Sequence, residues 1–143
     1  MSLENISLNS STKKTEGEPQ LDFFLQLKEK TEKISSLEEK EQIQEFINEL
    51  KNYCQEYVKI EGNYCQAWQE IQDSTFSNNE EREGALKNWE IWGQAKALKK
   101  NVIIDDLNIL YRLFKQYGLD CSWHPGFADE EQFQEWILKK GKN

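Results

Sequence analysis

Between Ser36 and Ser74 the chain carries apolar residues at Ile43, Phe46, Leu50, Tyr53, Tyr57, Ile60, Tyr64, Ala67 and Ile71, spaced alternately by three and four. This unbroken heptad stripe suits a helix that faces other helices along its length. Ser36 with Glu39, or equally Ser35 with Glu38, forms a capping box that opens it. A helix over about 37–73 would be about 55 Å long, and the remaining segments read as shorter pieces laid against it. Gly62 is its weak point. It falls on the outer face of the heptad frame, where it costs about 1 kcal/mol relative to Ala without forcing a break.

The rest of the chain supports the same class. Two Pro and seven Gly in 143 residues are too few for a many-stranded or loop-rich fold. Residues 1–18 are rich in Ser, Asn, Thr and Lys and are expected to form a disordered tail, leaving a single helical domain over 19–143. Pro19 suits a helix start, and Leu21, Phe24, Leu25 and Ile34 give a first helix over 20–34. Ser77 with Glu80 is a further capping box, opening a helix over about 79–100 with Ala85, Leu86, Trp89, Trp92, Ala95 and Leu98 on its apolar side and Ile91 beside them. Asn101 is a plausible boundary before a helix over 102–117, whose face is Ile103, Leu107, Leu110, Phe114 and Tyr117; continuity across Asn101 is the alternative. Gly118 suits the C′ position. After an irregular segment over 118–128, Asp129 with Gln132 caps a last helix bearing Phe133, Trp136 and Ile137. The expected fold is therefore all-α: a four- or five-helix up-and-down bundle organised on the long helix.

Charge narrows the partners. The net charge is −8, and residues 37–74 hold nine acidic residues against three lysines, or −6. Phosphate backbones repel such a surface, so direct nucleic-acid binding is not expected. No apolar run approaches the ~20 residues of a membrane span. Three Cys, with no signal-like start over Met1–Ser11, fit reduced thiols in a cytoplasmic protein.

Candidate chemistry is sparse. Cys121 and His124, the sole His, have a spacing that suits two zinc ligands, and Cys54 and Cys65 could complete a set. On a continuous helix those two thiols lie about 16 Å apart along the axis, so one ion cannot take both. Cys–His catalysis at the same place lacks an identifiable orienting acid or oxyanion donor. The pairs Glu38–Glu39, Glu80–Glu81, Asp105–Asp106 and Glu130–Glu131 mostly sit in first turns, where the helix dipole favours anions. No Glu-x-x-His, Walker or dinucleotide glycine motif is present. No cofactor and no metal are expected.

The aromatic residues Tyr53, Tyr57, Tyr64 and Trp68 make the second half of the seam wetter than a Leu/Ile core, and Tyr and Trp are favoured at partner surfaces. The expected function is a non-enzymatic protein–protein interaction module, or a small regulatory or assembly subunit, that binds a protein partner or itself through this face. An acidic inhibitor or decoy for a nucleic-acid-binding surface is the alternative. A metal or thiol site in the 118–128 loop, at Cys121, Trp123 and His124, is the second.

Overall fold

The computed structural model describes residues 21–138. The expected tail over 1–18 and the lysines after Leu138 lie outside them. Four α-helices are present among the described residues: α1 (Leu21–Lys30), α2 (Leu37–Asp73), α3 (Asn79–Gln116) and α4 (Glu130–Leu138). The first helix is shorter than its expected span and closes in a 3-10 turn over Thr31–Lys33.

Local chemistry sets the boundaries. Ser36 accepts a hydrogen bond from Glu39 N (3.3 Å) and caps α2. Helix α3 starts one residue later than the Ser77–Glu80 box implies. Asn78 caps it by accepting from Glu81 N at 2.9 Å, while the Glu81 carboxylate turns back to accept from Ser77 N at 3.1 Å. The α3 C-terminus is a Schellman closure, with Leu119 N donating to Phe114 O at 2.8 Å and Gly118 at φ 69°. Asp129 accepts from Gln132 N at 3.0 Å and caps α4.

Two expectations are corrected. Asn101 is no boundary: α3 runs through it for 38 residues, because Asn costs only a fraction of a kcal/mol inside a helix and nothing nearby breaks the ladder. The buried columns of α2 are also phased differently. They are Ile43, Leu50 and Tyr57 beside Ile47 and Cys54, while Phe46 and Tyr53 pack only at the margin. Three neighbours share this half of α2 (α1, α3 and α4), so the covered sector is wider than one partner helix would need. Gly62 stays helical, with open space where a Cβ would stand.

Helices α2 and α3 form one antiparallel hairpin. Steps along α2 match steps back along α3 to within a residue or two: Glu39 meets Tyr117, Glu56 meets Lys99, Glu61 meets Lys96, and Tyr64 meets Gly93. The core occupies one end of it. Phe24, Leu27 and Ile34 from the first segment, residues 43–57 of α2, Ile103, Leu107, Leu110 and Phe114 of α3, and Phe133, Ile137 and Leu138 of α4 make one buried cluster. Thr31 is buried among them with its hydroxyl satisfied, donating to Lys28 O (2.6 Å) and accepting from Gln44 Nε2 (2.8 Å). Between residues 58 and 102, Ala67 is the one buried residue. That half of the hairpin is a two-helix arm projecting from the base.

Candidate functional site

The arm has an unusual inner surface. Carrying the core columns of α3 backward by sevens from Ile103, Leu107, Leu110 and Phe114 gives Lys96, Lys100, Trp89 and Gly93. Lysines therefore stand where apolar residues would be expected, and they reach across the hairpin and to α4. Lys96 pairs with Glu61 at 2.8 Å, Lys99 with Glu56 at 2.7 Å, and Lys100 with Glu130 at 3.3 Å. The Lys96 ammonium also lies 4.2 Å from the Tyr64 ring centre, and that of Lys99 lies 4.9 Å from Tyr53. Part of the negative charge of α2 is thus matched within the fold.

Beyond Lys96 the arm is held by aromatic contact. Trp89 stacks on Tyr64 (centroids 5.7 Å apart, planes at 27°) and meets Trp68 at 5.0 Å. Gly93 makes room for this: a Cβ there would stand 3.2 Å from Tyr64 Cε1. Trp68 is 43 % exposed, and Trp89 Nε1 is buried with no hydrogen-bond partner among the described residues. The sequence pattern named Tyr64 and Trp68 but did not pair them with Trp89, because pairing required knowing that α3 is continuous.

The four aromatic candidates of α2 are divided by the fold. Tyr57 is fully buried at the base, edge-on to Phe133 at 5.1 Å, and its hydroxyl accepts from Gln134 Nε2 at 2.9 Å. Burial and the nearby Glu61 raise its pKa above the usual tyrosine range. Tyr53 is half-buried at the core margin. Tyr64 and Trp68 alone of the four belong to the arm cluster, whereas Tyr57 is closed off in the base.

The 118–128 segment closes the other end of the molecule. Trp123 packs edge-on against Phe23 (5.9 Å) and Phe114 (5.3 Å). Phe127 meets Phe133 and Trp136. The Cys121 thiol donates to Leu119 O at 3.4 Å, and His124 Nε2 donates to Asn108 Oδ1 at 2.8 Å with its ring against Tyr111. Burial lowers the His124 pKa. The thiol also approaches Tyr111 O at 3.8 Å, so both side chains pack on Tyr111, and the segment works as an aromatic plug over the base. Among the described residues no three His, Cys, Asp or Glu side chains are grouped to hold a metal ion. Cys54 is buried and its thiol is pushed up to about 12, by burial first and then by Asp106, so it stays protonated; Cys65 is exposed. No helix among the described residues is long and apolar enough to cross a membrane.

No protein-family model, curated protein or solved structure matches this chain.

Proposed function

We propose that the protein is a non-enzymatic interaction module, a small regulatory or assembly subunit, that receives a protein partner on its two-helix arm through Tyr64, Trp68 and Trp89. One observation carries this reading. The arm contributes no residue to the core cluster, yet it holds a three-ring aromatic stack at its surface. A segment kept only for stability would place such rings in the base. Trp and Tyr are the residues most enriched among the anchors of protein–protein contacts.

Affinity capture from the native cell tests it, using the intact protein, a Trp68→Ala variant and a Glu45→Ala control on the exposed face of the base. A partner retained by the control and weakened at least about tenfold by Trp68→Ala supports the arm, since anchoring Trp residues cost ~2 kcal/mol or more when truncated. Capture that is equal across all three places the partner elsewhere and removes the proposal. Circular dichroism should be unchanged, because Trp68 lies outside the core.

A further inference from the structure

Ion pairing stops part-way up the arm. In the base and at the arm's root, Glu32 pairs with Lys40, Glu56 with Lys99, Glu130 with Lys100 and Glu61 with Lys96. From Gly62 to Ala95 the chain holds six acidic residues against Arg82 and Lys87, or −4. Among the described residues none of these eight forms an ion pair.

Unpaired carboxylates border the aromatic cluster. Going round α3 from Trp89 at about 100° per residue, Leu86 comes about 60° on, and Glu90 and Glu83 come about 40° and 60° beyond Leu86. Glu80, Glu83 and Glu90 share with Gly84, Leu86 and Lys87 the wall of an open groove of about 430 Å³. Gly84 leaves part of it clear, since nothing lies within 4 Å of where its Cβ would stand. Three glutamates against Lys87 leave the lining at −2. Leu86, half-buried and one turn before Trp89, joins the groove to the rings.

This arrangement fixes the sign of the occupant. Glu90 and Glu83 stand about 2 and 9 Å from Trp89 along the helix axis, about a Debye length at most. A partner that covers Trp68 and Trp89 therefore feels both charges. A neutral partner would desolvate these carboxylates without return, and an acidic one would be repelled. Arginine matches the whole face. Its guanidinium stacks on an indole as exposed as that of Trp68, its N–H fork pairs with a carboxylate, and its methylene stem covers apolar surface such as Leu86.

We propose that the partner of the arm is a basic, arginine-bearing protein segment that stacks on Trp68 and pairs with Glu83 and Glu90; this rests on the reading of the arm as the docking surface.

Fluorescence anisotropy with the full chain tests it. The probe is a labelled synthetic peptide of about 15 residues in which arginine and leucine recur at helical spacing, and its twin carries citrulline, neutral and of the same shape, at every arginine. The protein variants are Trp68→Ala, the pair Glu83→Gln with Glu90→Gln, and a control pair of equal charge change, Glu41→Gln with Glu45→Gln. The control sites are exposed on the base, about 35 Å or more from Trp68 along α2 and so several Debye lengths away. The arginine peptide should bind, more weakly as salt is raised, and the citrulline twin should bind at least about tenfold more weakly. Trp68→Ala should weaken the arginine peptide at least about tenfold and the arm pair at least about threefold, with the control pair changing it by less than about 1.5-fold. No binding overturns the proposal, as does equal binding of the citrulline twin or equal weakening by the two glutamate pairs. Circular dichroism should be unchanged throughout, because all five sites are exposed. The capture experiment separates the two readings. A cellular partner lost with Trp68→Ala but held by the arm glutamate pair keeps the arm as docking surface and overturns the basic segment alone.

Discussion

Gly62 and Gly93 both lie inside helices, but only one has a reason to be glycine in the fold. Replacing Gly62 with Ala removes the backbone entropy penalty of glycine in a helix interior, which is worth about 1 kcal/mol. Nothing lies within 4 Å of the added Cβ, so no steric cost offsets the gain, and the site is exposed, so no burial adds to it. The expected effect is about 1 kcal/mol of added stability. With a urea m-value of about 2 kcal/mol/M the midpoint should rise by about 0.5 M at constant m, and Tm by about 3–5 °C. Gly93→Ala has the same intrinsic gain, but its Cβ meets Tyr64 Cε1 at 3.2 Å. The ring, stacked on Trp89, must give by a few tenths of an ångström, so the gain should be smaller than at Gly62. Equilibrium urea unfolding followed by circular dichroism compares the two. A neutral or destabilising Gly62→Ala would refute a continuous α2. Equal gains at both positions would refute the close approach of Tyr64 to α3.

Asp106 is held above the usual aspartate pKa by burial, then by Glu49 and Asp105. The native state thus binds this proton more tightly than the unfolded chain, so the ionised carboxylate is a penalty at neutral pH that is relieved as pH falls through the raised pKa. Asp106→Asn should stabilise the protein at pH 7, and the advantage should vanish below about pH 3.9; pH-dependent urea midpoints check this, and an advantage that grows on acidification would contradict it. Thiol titration with a chromogenic disulfide should label Cys65 quickly and Cys54 only on unfolding, and rapid native labelling of Cys54 would contradict its burial. Ser36→Ala should cost about 1 kcal/mol by removing the α2 cap, read as a lower urea midpoint. Amide hydrogen exchange should be faster over 79–95 than over 103–114 by orders of magnitude, since the arm has no core to hold it closed; uniform protection along α3 would count against a coreless arm.

The helical class, the length of α2 and the cap at Asp129 are legible because each rests on local chemistry (apolar period, side-chain acceptor and helix dipole), whereas Ser35 and Ser36 fit the α2 cap equally and the structure uses Ser36. The phase of the buried columns is not legible. Ile47 and Cys54 are buried because α1 and α4 also pack on α2, a fact of tertiary arrangement that heptad counting for one partner cannot contain. A helix ending at Lys100 offers no second reference for its phase, so its apolar pattern alone places Leu98 on the inner face. Once α3 is continuous, Ile103 and Leu107 fix the phase, and Lys96 turns inward while Leu98 turns out. The candidate site was half legible. Tyr64 and Trp68 are at the surface cluster, but Tyr57 differs from them only in lying where α4 crosses, and no local pattern in α2 encodes that crossing.

The matched register of the hairpin separates the arm's length from the architecture of the base. The facing columns recur every seven residues on both helices, as Ile43, Leu50, Tyr57 and Tyr64 on α2 and Trp89, Lys96, Ile103 and Leu110 on α3. Removing seven residues from each outer helix brings the same columns face to face again and shortens the arm by about 10 Å. Such paired changes are length-neutral for the base and act only on reach. The arm is in this sense a ruler graduated in heptads, and the repeat number sets how far its turn stands off from the base.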